Sequence, residues 1–166
     1  MDRRRFLSGT SGTVFATAAG CLSSGEERTA TIERDVREFL ESDAAFSEEI
    51  AVLTASEVEA IEYHPGGVAV GVRHTLPFTA SDDPEDVRDA VNTNSYGIAE
   101  AALATTDEIL RIESNSSVAS MAEDAAYEVS YVHLRWDTFD DVDWTAIEPA
   151  DVPDVATRYH FDETAF

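Results

Sequence analysis

The chain has no lysine and a single cysteine, Cys21, in 166 residues. No internal disulfide can form, and no Schiff-base amine is available. There is no G-x-S-x-G nucleophile elbow and no phosphate-binding glycine loop, so the common routes to nucleophilic and phosphoryl-transfer catalysis are missing. Positive charge is scarce: Lys+Arg total 11, all of them arginine, against 34 acids, for a formal charge of -23. Without a basic stripe to meet phosphates, nucleic-acid binding is excluded as a role. Long hydrophobic runs are missing too. The stretch from Phe6 to Ala19 is interrupted by Ser8 to Thr13 and falls short of the about 20 apolar residues that span a bilayer.

What is present begins at the start. Positive charge, a short apolar stretch and small residues follow one another there, the order of a secretory signal. Arg3, Arg4, Phe6 and Leu7 sit in the pattern R-R-x-F-L, which resembles the twin-arginine export signal. Ala18-Ala19-Gly20-Cys21 resembles a lipobox, with Ala18 where leucine is usual. The resemblance implies cleavage before Cys21 and lipidation of its thiol, with an archaeal-type diether supplying two chains for firm anchoring. Residues 1–20 then form the signal peptide, 21–28 a lipidated tether rich in Ser, Gly and Glu, and 29–166 one domain. The expected location is the outer face of the cytoplasmic membrane, with the membrane as the first partner.

Removing residues 1–20 takes away three arginines and one acid, leaving 8 arginines, 33 acids and a net charge of -25. Such a charge repels itself in the compact state. Molar salt shortens the Debye length to about 3 Å and removes most of that penalty. The acids are spread along the whole chain, and the surface style resembles that of twin-arginine lipoproteins of halophilic archaea. An apolar fraction of 43% is enough to build a core.

Ile32, Val36, Phe39 and Leu40 recur at helical spacing and predict a helix over about Thr31 to Ala45. Ile50 to Leu53 either extends it or begins a strand. Val58 to Tyr63 and Val68 to Thr75 flank His64-Pro65-Gly66-Gly67 and read as a hairpin ending at Leu76-Pro77-Phe78. Asp83-Pro84-Glu85-Asp86 is a helix start, and a narrow stripe from Val87 through Val91, Asn94 and Ile98 to Ala102 carries the helix to about Thr105. A break is conceivable at Asn92 to Gly97. Ile109 to Glu113 reads as a strand, and Tyr127 to Trp136 as the longest strand, apolar on both faces and therefore covered twice, bulged or paired with a partner. The tail from Asp140 is expected to pack as short helical turns. The fold class is α+β, two layers, with an antiparallel sheet of about four strands, two main helices on one face and an irregular C-terminal tail.

Candidate chemistry is sparse. His74 and His133, with an acid such as Glu57, could form the site of an exported hydrolase or metal-dependent enzyme, but no two histidines share a ligand spacing. Asp137, Asp140, Asp141 and Asp143 could take a hard cation, yet the spacing is not that of an EF-hand, and a solvated acidic face is the simpler reading. No metal and no cofactor is assigned. Asn115-Ser116-Ser117 is a glycosylation sequon, read here as lying in a polar loop. Tyr127, Tyr131, Trp136 and Trp144 cluster in sequence, and on an uncovered sheet face they would make a surface for a protein or small ligand. The favoured function is a non-catalytic, lipid-anchored envelope domain that binds through its sheet.

Overall fold

A computed structural model describes residues 25–42, 46–54, 67–119, 126–135, 139 and 142–166. The export signal residues Arg3, Arg4, Phe6 and Leu7, the lipidation residue Cys21, His64, Glu57, Trp136, Asp137, Asp140 and Asp141 lie outside them. Helix α1 spans Gly25–Ser42, strand β1 Phe46–Thr54, β2 Val68–Thr79, α2 Pro84–Thr105, β3 Ile109–Ala119 and β4 Ala126–Arg135. The tail holds 3-10 turns at Trp144–Ala146 and Pro149–Asp151, a short helix α3 (Val152–Val155), strand β5 (Arg158–Phe161) and a last 3-10 turn at Glu163–Ala165. The α+β class expected from the sequence is present. Among the described residues no helix is long and apolar enough to cross a membrane.

The sheet has five strands in the order β1-β2-β3-β4-β5. It is mixed, which corrects the antiparallel expectation: β2 and β3 run parallel, and the other pairs are antiparallel. A parallel pair needs a crossover, and α2 supplies it. The expected hairpin partner of β2, Val58 to Tyr63, lies outside the described residues. Both edges of β2 are occupied along Val68 to Thr75, by β1 on one side and β3 on the other. β2, not β4, is the longest strand, because it runs on past Pro77. The ladder to β3 skips from Thr75 to Thr79, so the proline sits where no pairing donor is required.

Helix α2 begins as its sequence dictates. The Asp83 side chain accepts from the Glu85 amide at 3.0 Å, Pro84 opens the first turn, and Glu85 and Asp86 lie near the positive end of the helix dipole. The helix does not break at Asn92 to Gly97. Asn92, Asn94, Ser95 and Gly97 are all buried, and a Cβ at residue 97 would overlap the Phe39 ring of α1. The low helix propensity of this stretch is therefore offset by close approach of α1. Helix α1 starts at Gly25, inside the segment assigned to the tether, and Arg28 is paired with Glu108 at 2.8 Å.

Both long helices cover one face of the sheet. Ile32, Val36 and Leu40 from α1 and Val87, Val91, Ile98 and Ala102 from α2 pack on Val68, Val70, Val72, Ile112, Val132 and Leu134. The tail docks on α2. Trp144 stacks on Tyr96 at 5.4 Å, the Tyr159 hydroxyl donates to Asn92 at 2.9 Å, and Arg88 pairs with Glu163 and lies over the Phe161 ring. β5 was missed in the sequence because it has only four residues, although Tyr159 and Phe161 alternate with Arg158 and His160 as a strand should.

Candidate functional site

The covered face carries an unexpected polar layer. His74, Ser114, Ser116 and Ser130 are buried in strands, and Ser95 is buried in α2. His74 and Ser116 are paired partners on β2 and β3, and Ser116 Oγ lies 3.1 Å from His74 Nε2. A serine beside a histidine is the geometry of a nucleophile and its base. Here both residues are 0% exposed, so no substrate reaches them. The pair belongs to the buried layer between the sheet and the helices. As the sequence predicted, His74 faces the core.

His133 does not join it. Ser130 faces the helices opposite Ser116, and His133, three residues on, projects from the other face of β4. The sheet itself lies between the two histidines, so it does not bring them together in one site. Among the described residues no group of three or more His, Cys, Asp or Glu side chains is gathered as a metal ion would require. Asp143 caps a 3-10 turn, its Oδ1 accepting from the Thr145 amide at 3.2 Å and the Thr145 hydroxyl at 2.7 Å.

The aromatic candidates also separate. β4 is bulged at Val129, since Ser116 faces Ser130 but Ser117 faces Glu128. Of the three readings open for this strand, the bulge is the one observed. It changes the alternation, so that Tyr127 pairs with buried Val118 while Tyr131 pairs with Asn115 on the opposite face. Tyr127 is 52% exposed at the sheet's end. Trp144 lies against α2, between Tyr96 and Phe139, whose ring centroids are each 5.4 Å away. Of the three that are described, only Tyr131 stands on the face away from the helices; Trp136 lies outside the described residues. Asn115 sits beside it in mid-strand, not in a loop, with its Oδ1 buried.

That open face includes three central rows, with Thr75, Ser117 and Glu128 in a further row beside the third. Leu53, Ala69, Arg111 and Arg135 form the first. Ala51, Gly71, Glu113, His133 and Arg158 form the second, and Glu49, Arg73, Asn115, Tyr131 and His160 the third. Arg111 pairs with Glu113 at 3.2 Å and Arg73 with Glu49 at 3.3 Å. His133 sits in the middle, edge-on to Tyr131 at 6.1 Å, with both ring nitrogens inaccessible and without a hydrogen-bond partner among the described residues. Burial holds the imidazole below its ordinary pKa. Glu113 opposes that shift, while Arg111, Arg158 and Arg135 add to it. Burial likewise raises the Tyr131 phenol, helped by Glu113 and opposed by Arg158 and Arg111. Sequence reasoning singled out Tyr131 and His133 but not the four arginines. Part of the signal was available: Arg135 has the same parity as Tyr131 and His133 on β4, whereas the other three align with them only through the strand register.

Comparison with protein-family models, curated proteins and solved structures gives no match. The functional reading therefore stands on the geometry of this face.

Proposed function

We propose that the chain is a non-catalytic domain of the cell envelope, held at the outer face of the cytoplasmic membrane by a lipid on Cys21. Its open sheet face binds another envelope component, a protein or a small ligand. The observation that supports binding is the face itself. Three rows of side chains from five strands hold four arginines, two carboxylates, two histidines and Tyr131, while both long helices lie on the other side. The export pattern and the lone cysteine support the anchor.

Fractionation of cells carrying Cys21→Ser tests the anchor. The protein is expected to leave the membrane pellet, and its persistence there would place the anchor elsewhere. A photo-crosslinker at residue 131 tests the face. It is expected to capture a partner on intact cells, whereas the same group at Glu100, exposed on α2, is not. Equal capture at both sites would reject the face as the binding surface.

A further inference from the structure

We infer that the partner met by the open face is a second copy of this chain, docked face to face about a two-fold axis that runs parallel to the strands along β3. This rests on the proposal that the face is a binding surface, and names what it binds.

Charge singles out this face as the place where two copies meet. After residue 20 the chain has 8 arginines and 33 acids. Among the described residues the open face holds four of those arginines, Arg73, Arg111, Arg135 and Arg158, and three of the acids, Glu49, Glu113 and Glu128. The face is therefore close to neutral, while outside these residues the chain has 30 acids and four arginines. Elsewhere the approach of two copies sets acid against acid, and between the open faces it does not. The charges of the face are also met within one copy: Arg111 pairs with Glu113 at 3.2 Å and Arg73 with Glu49 at 3.3 Å. A surface of mixed, paired charges suits a second such surface better than it suits a polyanion or a polycation.

Shape gives the docking geometry. A two-fold contact is isologous and sets the face on its own copy. With the axis along β3, each row meets itself reversed, so β1 and β2 lie over the partner's β5 and β4. The two halves differ in size. In the second row Ala51 and Gly71 stand on β1 and β2, and His133 and Arg158 on β4 and β5. Reversal seats the partner's His133 over Gly71 and the partner's Arg158 over Ala51. A Cβ at residue 71 would meet only the Ala51 carbonyl oxygen, at 3.8 Å, so that space is open among the described residues. Glycine inside a strand often marks the close approach of another group. In the third row Glu49 meets the partner's His160 and Arg73 the partner's Tyr131, an acceptor on a donor and a cation on a ring. In the row beside it Thr75 meets the partner's Glu128. At the axis Arg111 and Glu113 arrive already paired, which blunts repulsion from their counterparts. An axis across the strands instead lays β1 on the partner's β1 and β4 on the partner's β4, small on small and large on large. Five strands about 4.8 Å apart and four rows about 6.8 Å apart cover about 600 Å² on each copy. The total of about 1,200 Å² lies at the lower bound of stable interfaces, and confinement of both copies to one membrane assists the pairing.

Sedimentation equilibrium of the full mature chain with Cys21→Ser, in molar salt, tests the pairing. A concentration-dependent dimer is expected. Gly71→Gln should weaken it by about tenfold or more, because the added side chain fills the seat of the partner's His133. Arg34→Gln, exposed on α1, should leave it unchanged. Circular dichroism checks that each variant is folded, and Ala51→Gln provides a second variant under the partner's Arg158. A short thiol crosslinker tests the geometry: Ala51→Cys with Arg158→Cys, in the Cys21→Ser chain, should be joined into covalent dimers, and Ala51→Cys alone should not. A monomer at every concentration overturns the inference, as does equal dimerisation of the parent and both sheet variants, or efficient joining of Ala51→Cys alone. On intact cells the photo-crosslinker at residue 131 should yield an adduct of twice the mass of the mature chain. Capture of a different protein there overturns the inference, while leaving the face as the binding surface.

Discussion

The two faces of this sheet are built from the same strands and obey opposite rules. On the helix-covered face, His74, Ser114, Ser116 and Ser130 are polar yet buried. On the open face, His133 shares a row with Arg158 and Tyr131 with Arg73, and Arg111 and Arg135 form the row beyond His133. The serine–histidine contact of 3.1 Å on the first face is fully buried. The arginines on the second are at least partly exposed, Arg111 at 29% and Arg73 at 54%. Burial, more than residue type, decides which polar group is available for function.

Salt should separate the two faces most strongly. Burial holds the covered face, whereas acids crowd the exterior of the molecule. Lowering salt from molar to tenths of molar is expected to unfold the domain by self-repulsion. An unchanged circular dichroism spectrum over that range would show that the core alone carries the fold. A pair of adjacent substitutions in β4 comes next. Leu134 is fully buried against the helices, and Leu134→Ala should cost about 2–5 kcal/mol in chemical denaturation. Arg135 points the other way, and Arg135→Ala should change stability by less than about 1 kcal/mol. Equal losses would mean that both faces are covered.

The smallest effect concerns pH. His133 is held below its ordinary value of 6.5, mainly by burial, so the folded state stays neutral where the unfolded chain takes up a proton. The stability it contributes is complete above that ordinary value and is lost as pH falls through the lowered folded value. Glu113, Arg111, Arg135 and Arg158 surround it, with Tyr131 beside it. His133→Asn should flatten the acid side of the stability profile, read by denaturation at a series of pH values in constant salt. A profile as steep as the parent's would assign the pH dependence to other groups.

Much of the covered face was legible in the sequence. Asp83-Pro84 announced α2 to the residue, the Ile32, Val36 and Leu40 spacing announced α1, and the inward set of β2 held His74. The parallel seam was not legible. Pro65-Gly66-Gly67 is a strong turn signal and drew β2 toward Val58 to Tyr63, whereas its antiparallel partner, β1, carries the polar run Ser47-Glu48-Glu49 just after its first residue, Phe46. The open face was legible only in fragments. Its residues come from five strands, and one bulge in β4 reverses the alternation on which the aromatic patch was built. Tyr127 and Tyr131 are four residues apart and would share a face on a regular strand; the bulge at Val129 places them on opposite ones.

The margins of the sheet have a consequence of their own. β5 is four residues long and covers only the middle of β4, and β1 is irregular between Ser47 and Glu49. Both features make poor templates for adding another strand, and so restrain copies from joining edge to edge into fibres. In dilute buffer, mutual repulsion alone would keep such acidic molecules apart. In brine that repulsion is screened, and the irregular, shortened borders are left to keep sheets from joining at their edges.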